Sequence, residues 1–121
     1  MEHQTNTKYK VIFHIDEPSK GRADQVLMNI TNLLNDLGDG SVEVELLANG
    51  GGVRALAKES DGQAEQVETL SKRGVRFVAC QNSLDHLNMQ RSDLLDLVEV
   101  VPAGVSELVK KQMDGWAYIR P

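Results

Sequence analysis

The amino-acid sequence predicts an α/β fold, a three-layer α/β/α sandwich with a mainly parallel sheet of about five strands. Two observations predict it. Segments rich in β-branched residues alternate with segments whose apolar residues recur every three or four positions, and such alternation is typical of parallel strands joined by right-handed helical crossovers. A chain of 121 residues without an internal repeat also fits one domain. We therefore expect a single domain over residues 1–121, with residues 1–7 as a flexible tail.

The first half of the chain carries the clearest element signals. The first strand is rich in β-branched and aromatic residues and closes at the turn Asp16-Glu17-Pro18. The helix after it is amphipathic and stops at Gly38, and Asp61 can cap a later helix. The predicted elements are, in order, a strand over 8–15, a helix over 22–37, a strand over 41–48, a flexible loop over 49–52, a short helix over 53–58 and a helix over 63–73.

The second half continues the alternation with shorter elements. Asn82 or Ser83 can cap a helix that runs to about residue 89, and Gly115 separates the last helix from the last strand. Trp116 and Tyr118 share one face of that strand, where core or subunit packing is a more common role than substrate binding. The predicted elements are a strand over 75–80, the capped helix, a strand over 97–101, a helix over 104–113 and a strand over 116–119.

Charge and composition exclude several classes of protein. The net charge is -5 and no run of Lys or Arg is longer than two, so no nucleic-acid partner is expected. The first ten residues are polar, and no stretch approaches the about 18 apolar residues that a membrane helix needs. One cysteine cannot form an internal disulfide, which agrees with a reducing compartment. We expect a cytoplasmic protein that contacts no membrane.

The single cysteine, Cys80, is the main candidate for chemistry. It stands where an apolar strand runs into a polar helix start, close to unpaired backbone N–H groups and the positive end of the helix dipole. Such surroundings favour the thiolate, which is the reactive form of cysteine. The alternative is that Cys80 is buried and packs as a small apolar residue.

Three predicted loops meet at one edge of the sheet. In an open parallel sheet, ligands bind beyond the carboxyl ends of the strands, where helix starts present free N–H groups. The predicted elements place there His14 as a possible acid or base, Asn49 with the glycines Gly50 and Gly51, and Cys80 with Ser83. The negative groups Asp16 and Glu17 follow the first strand at the same edge.

Other kinds of site fit the sequence less well. Residues 50–55 formally match the dinucleotide pattern G-x-G-x-x-A, but they follow the second strand, and the next strand lacks a terminal acid for the ribose. A plain loop or a small-anion nest is favoured instead. His14, Cys80 and His86 lack the close spacing of metal ligands, and no oxyanion signature supports a Cys-His hydrolase. We expect no metal and no cofactor.

Two segments and the glycine loop carry a family resemblance. Residues 77–84, Phe-Val-Ala-Cys-Gln-Asn-Ser-Leu, and residues 115–121, Gly-Trp-Ala-Tyr-Ile-Arg-Pro, resemble the DsrE/DsrF-like family. The resemblance implies a small α/β/α protein that assembles as a trimer or hexamer and carries sulfur as a cysteine persulfide. It implies that Cys80 bears the sulfur and that Asn82 assists it. Where relatives often have a histidine before the first glycine, this chain has Asn49.

These observations lead to two functional hypotheses. In the first, Cys80 accepts sulfane sulfur as a persulfide and relays it between a donor and an acceptor protein. In the second, the chain is a non-catalytic oligomeric module that binds a small ligand or regulates a partner, and Cys80 is structural. In either case we expect a homo-oligomer, because the apolar residues between 94 and 101 are crowded enough to be shared between subunits.

Overall fold

Strands and helices alternate throughout the residues that the computed structural model describes, 8–60 and 62–121. The predicted flexible tail and the predicted cap Asp61 lie outside these residues. The elements are, in order, β1 (Tyr9–Ile15), α1 (Lys20–Leu37), a 3-10 turn (Asp39–Ser41), β2 (Val42–Ala48), a 3-10 helix (Gly50–Leu56), α2 (Gln63–Lys72), β3 (Arg76–Cys80), α3 (Gln81–His86), a 3-10 turn (Arg91–Asp93), β4 (Glu99–Val101), α4 (Gly104–Met113) and β5 (Ala117–Ile119).

The five strands form one sheet in the order β4-β3-β2-β1-β5. Every neighbouring pair is parallel, so the predicted three-layer α/β/α sandwich is confirmed. In the register of the central strands, Ile15 lies opposite Ala48, and Ala48 lies opposite Ala79. The carboxyl ends of β1, β2 and β3 therefore lie at one edge of the sheet, which we call the carboxyl edge.

The two faces of the sheet are covered unequally. One face packs on α1, α2, α3 and the 3-10 helix after β2, and together they enclose the larger hydrophobic core. The opposite face is covered by α4, and its core contains four buried apolar residues with two partly buried ones at its margin. The four are Ile12, Leu47, Val78 and Leu108. A single helix on a small core therefore covers the face on which Cys80 lies.

Two helix starts differ from the sequence prediction. α1 begins two residues earlier, because the Ser19 hydroxyl oxygen accepts a hydrogen bond from the Arg22 amide at 3.1 Å and caps the helix. α3 begins directly after Cys80, which itself occupies the N-cap position. The prediction that Asn82 or Ser83 caps this helix is wrong, since both lie in its first turn. α3 also ends at residue 86 and not at residue 89.

The glycine segment after β2 is helical and closely packed, where the sequence predicted a flexible loop. It forms the 3-10 helix Gly50–Leu56, which packs closely on the end of β1. A Cβ on Gly52 would lie 2.2 Å from the carbonyl oxygen of Ile15, and a Cβ on Gly51 would lie 2.7 Å from Cδ of Pro18. Close packing against the chain after β1 therefore accounts for these two glycines, with no need for a nucleotide phosphate.

The apolar segment before β4 belongs to the interior of the chain itself. Leu94, Leu95 and Val98 are buried in the larger core. Leu97, Val100 and Val101 are only partly buried, and β4 is an edge strand of the sheet. The sharing of this segment between subunits stays a prediction.

A buried carboxylate lies between β2 and α4. Glu45 is fully buried, and its Oε1 accepts a hydrogen bond from Nη1 of Arg76 at 3.1 Å and lies 3.7 Å from Nζ of Lys111. Burial and the neighbouring carboxyl of Glu107 raise the pKa of Glu45 to about 8, although Arg76 and Lys111 oppose the shift. In this carboxyl pair, Glu45 therefore holds a proton at neutral pH.

The proton on this carboxyl pair makes stability depend on pH. The pKa of Glu45 rises from 4.5 in the unfolded chain to about 8 in the folded chain, so the folded chain binds more protons between these values. The free energy of unfolding should therefore fall as pH rises through this window. Glu45→Gln, which cannot ionise, should flatten the fall, as measured by urea denaturation at several pH values. Glu43→Gln, at an exposed position of the same strand, is the matched control; equal slopes for Glu45→Gln and the wild type would contradict the prediction.

Candidate functional site

Cys80 lies at the carboxyl edge, on the face of the sheet that α4 covers. It is the last residue of β3 and pairs with Val101 of β4. Its side chain is on the same side of β3 as Val78, beneath the start of α4. The residue is 5% exposed. Cys80 is therefore nearly enclosed, and only a small group can reach its sulfur without movement of the surrounding chain.

Hydrogen-bond donors from two helix starts converge on the sulfur of Cys80. The amides of Asn82 and Ser83 in α3, the amide of Gly104 in α4 and the hydroxyl of Ser83 surround it and lower the pKa of the Cys80 thiol by hydrogen bonding. The Asn82 amide also points to the carbonyl oxygen of Pro102 at 3.3 Å. Burial raises the pKa of the Cys80 thiol, but the four donors together bring it below its ordinary value. The site thus makes the thiol more acidic than an ordinary cysteine in spite of its enclosure.

Gly104 allows α4 to come this close. A Cβ on this residue would lie 3.2 Å from Cβ of Cys80 and of Asn49, and 3.1 Å from Cδ1 of Leu47. Any larger residue would push the first turn of α4 away from the sulfur. From the sequence, Gly104 was predicted to begin a helix but not to belong to the site. A glycine at the first position of a helix is the sequence feature that could have indicated a close approach there.

Ser83 connects the glycine segment to the cysteine. Its hydroxyl oxygen accepts a hydrogen bond from the Gly50 amide at 2.7 Å while its hydroxyl proton points to the sulfur of Cys80. Of the predicted glycines, Gly50 therefore acts on the site through Ser83. Gly51 faces Pro18.

His14, Asn49 and Tyr118 form a hydrogen-bonded row beside Cys80. His14 is the penultimate residue of β1, is 8% exposed, and its Nε2 lies 2.8 Å from Oδ1 of Asn49. Its Nδ1 lies 2.7 Å from the hydroxyl oxygen of Tyr118. Because Oδ1 can only accept, Nε2 carries the proton and Nδ1 accepts from the hydroxyl. The sequence did not predict Tyr118 here, because its approach depends on β5 pairing with β1, where Tyr118 lies opposite Ile12.

Comparisons with known proteins relate the chain to one family. The profile of the DsrE/DsrF-like family matches residues 9–121. The chain belongs to the DsrE/DsrF-like family. It is 43% identical to MTH1491, a protein of unknown function from Methanobacterium thermoautotrophicum, over 93% of this chain and 99% of that one, with a TM-score of 0.88. No curated protein matches the chain.

Two more distant structures share the fold. The ychN protein of E. coli is 14% identical over 96% of this chain and all of its own, with a TM-score of 0.77. BT1422 of Bacteroides thetaiotaomicron, a conserved protein of unknown function, is 15% identical over 93% of this chain and 94% of its own, with a TM-score of 0.71. Membership of the DsrE/DsrF-like family suggests a sulfur-relay-type role.

The remaining polar candidates of this DsrE/DsrF-like chain are engaged elsewhere. Both carboxylate oxygens of Asp16 accept from the Arg120 guanidinium, at 3.0 and 3.1 Å, and these hydrogen bonds lower the pKa of Asp16. This pair fastens the end of β5 to the end of β1. His86 is exposed in the last turn of α3. Within 8–60 and 62–121, no three side chains of His, Cys, Asp or Glu gather as metal ligands.

A sizeable cavity lies away from Cys80. It has a volume of about 560 Å³ and is lined by the start of α1, the 3-10 helix after β2 and the segment before β4. These elements pack on the larger core, on the other face of the sheet from α4. Across the described residues, no helix combines the length and apolar character needed to cross a membrane.

Removal of the Ser83 hydroxyl should make Cys80 less acidic. A hydrogen bond to a charged group contributes about 1.5 to 3 kcal/mol, so Ser83→Ala should lower the thiolate fraction about tenfold at a pH below the midpoint. Ultraviolet absorbance of the thiolate across a pH titration measures this fraction. Ser106→Ala, at an exposed site on α4, should leave the titration unchanged. If Ser83→Ala titrates like the wild type, the hydroxyl does not stabilise the thiolate.

Proposed function

We propose that this protein handles sulfur: Cys80 accepts sulfane sulfur as a persulfide and passes it to an acceptor. The observation that carries the proposal is the convergence of four hydrogen-bond donors on one sulfur atom. Enclosure alone would keep the thiol neutral and unreactive. Donors aimed at a buried sulfur stabilise its anion, and the anion is the form that attacks another sulfur.

The transfer needs no cofactor or oxidant. The Cys80 thiolate attacks the outer sulfur of a donor persulfide, R–S–SH, and a new S–S bond forms. The S–S bond of the donor breaks, and its inner sulfur leaves with the electron pair and takes up the proton as R–SH. Cys80 is left as the persulfide anion. An acceptor thiolate then removes the outer sulfur by the same exchange and regenerates the Cys80 thiolate.

The cysteine count supports a carrier. The chain has one cysteine, so no second thiol of the same chain can displace the loaded sulfur by forming an internal disulfide. The acceptor thiol must come from another molecule. This agrees with a relay between a donor and an acceptor protein, which the DsrE/DsrF-like resemblance implies.

The enclosure of Cys80 favours a second function. At 5% exposure, Cys80 can be a packing residue in a non-catalytic module that binds a small ligand or regulates a partner. The cavity of about 560 Å³ on the other face offers room for such a ligand. The pH titration of the thiol discriminates the two functions. An ordinary or inaccessible thiol favours the module, and a clearly acidic, reactive thiol favours transfer.

Loading of sulfur tests the main proposal directly. After incubation with a persulfide donor, intact-mass spectrometry of the purified protein should show adducts of about 32 Da per sulfur atom. These adducts should disappear on reduction and be absent from Cys80→Ser. A rhodanese-like protein loaded under the same conditions is the positive control. Absence of an adduct on the wild type, when the control loads, would reject the sulfur-relay function.

We also propose that the outer face of α4 contacts a second copy of this chain. The outer face of α4 carries three large apolar residues four positions apart, Val105, Val109 and Met113, which are 64%, 55% and 81% exposed. That spacing places them on one side of the helix as an apolar stripe. The DsrE/DsrF-like resemblance implies a trimer or hexamer, and this stripe supplies an apolar surface for such contacts.

A charge in the stripe should weaken self-association. Val109→Lys would place a charge in an apolar contact, so multi-angle light scattering at micromolar concentration should show a smaller mass than for the wild type. Met28→Lys, at an exposed position of α1 on the other face, should keep the wild-type mass. A monomeric wild type would remove the proposal of a homo-oligomer.

A further inference from the structure

The loaded sulfur carries its charge at a different place from the thiolate. The four donors at Cys80 all point to the sulfur that belongs to the cysteine. In a persulfide, the negative charge is on the outer sulfur, about 2 Å farther out. The donors that activate the thiol are thus not aimed at the atom that must be held after loading. A carrier that retains its cargo needs a further donor near the end of the cysteine side chain.

Asn49 is the polar side chain best placed to be that donor. It follows β2 directly, next to β3, and its Cβ and that of Cys80 both lie within 3.2 Å of the position of a Cβ on Gly104. Asn49 is partly exposed. Its Oδ1 is used by His14, whereas within 8–60 and 62–121 its Nδ2 makes no hydrogen bond and is not among the buried unsatisfied atoms. Two N–H groups at the carboxyl edge are therefore open to an incoming anion.

His14 and Tyr118 influence whether the oxygen or the nitrogen of the Asn49 side-chain amide is free to contact an anion. An asparagine amide can rotate by half a turn and present either its oxygen or its nitrogen. The Nε2 proton of His14 holds Oδ1 at 2.8 Å, so Nδ2 takes the opposite place. The Tyr118 hydroxyl, 2.7 Å from Nδ1, can donate to this nitrogen, and the ring then presents its Nε2 proton to Asn49. This hydrogen-bonded row links the orientation of the Asn49 amide to β1 and β5.

We propose that Asn49 is a positioning residue that binds the outer sulfur of the Cys80 persulfide through Nδ2, and that His14 and Tyr118 act through it by fixing its amide. This inference rests on the proposed sulfur-relay function. In this arrangement His14 orients Asn49 and does not act as an acid or base. The Asn49 amide separates His14 from the sulfur and does not relay a proton between them. It also predicts that substitutions in this row change the lifetime of the Cys80 persulfide more than the pKa of the free thiol.

The experiment compares the free and the loaded states of the same variants. Wild type, Asn49→Ala and the control Asn32→Ala, at an exposed site in α1, are loaded with inorganic polysulfide, and the persulfide is followed over time by intact mass. Asn49→Ala should lose the persulfide about tenfold faster, as expected for one lost hydrogen bond to an anion. The thiol titration of the unloaded variant should match that of the wild type. Asn32→Ala should match the wild type in every measurement.

Two further variants test the direction of the amide. Asn49→Asp has nearly the same shape but presents two oxygens, so it should load less than Asn49→Ala because the carboxylate repels the outer sulfur. Tyr118→Phe, at a residue 39% exposed on the edge strand, frees the proton of His14 to move to Nδ1. It should shorten the lifetime of the persulfide, by less than Asn49→Ala does. Tyr118→Phe also tests the inference if Asn49→Ala fails to fold.

The outcomes separate this inference from the proposed function. If Asn49→Ala and Tyr118→Phe load and retain sulfur like the wild type, the role of Asn49 is overturned and the sulfur relay stands. If the variants change the titration of the free thiol as much as the lifetime of the persulfide, Asn49 acts on the thiol and this inference is again overturned. If the wild type does not load, both proposals fail together.

Discussion

The hydrogen bonds that converge on the Cys80 sulfur are the constraint on which the rest of the site depends. Two come from the amides of α3, which starts directly after β3, and one from the first amide of α4, which arrives after β4. Without them the enclosed thiol would be neutral, because burial alone raises its pKa. Gly104 lets the second helix approach, since a Cβ there would lie only 3.2 Å from the Cβ atoms of Cys80 and Asn49.

The helix that supplies this donor is held by a small core that contains a buried carboxyl group at its margin. Beneath α4, a core of four buried apolar residues adjoins the fully buried Glu45 and its partners Arg76 and Lys111. Lys111 also lies over the ring of Trp116, 4.6 Å from its centroid, which ties α4 to the chain entering β5. The larger core on the other face carries the bulk of the apolar burial. Cys80 thus lies on the less heavily packed side of the sheet.

The polar row of the site crosses the sheet from one strand to the next. Tyr118 of β5, His14 of β1, Asn49 after β2 and Cys80 of β3 follow one another in the order of the strands. Each residue comes from a different strand, so no short segment of the chain contains the site. A surface built in this way can hold a small anionic group against a rigid sheet, which suits a sulfur atom bound to a carrier better than a large substrate.

Local patterns were sufficient to predict the elements and the place of Cys80. The limits of α4 and the end of α1 at Gly38 follow from apolar periodicity and glycine, which act within a few residues. Three features required the assembled chain: the close packing of Gly52 on β1, the donor from Gly104, and the contact of Tyr118 with His14. Each depends on strand order and on helices crossing the sheet, which bring together residues far apart in the chain. Apolar periodicity in the sequence indicates only whether a residue is buried. Which residues pack against it depends on the path of the whole backbone.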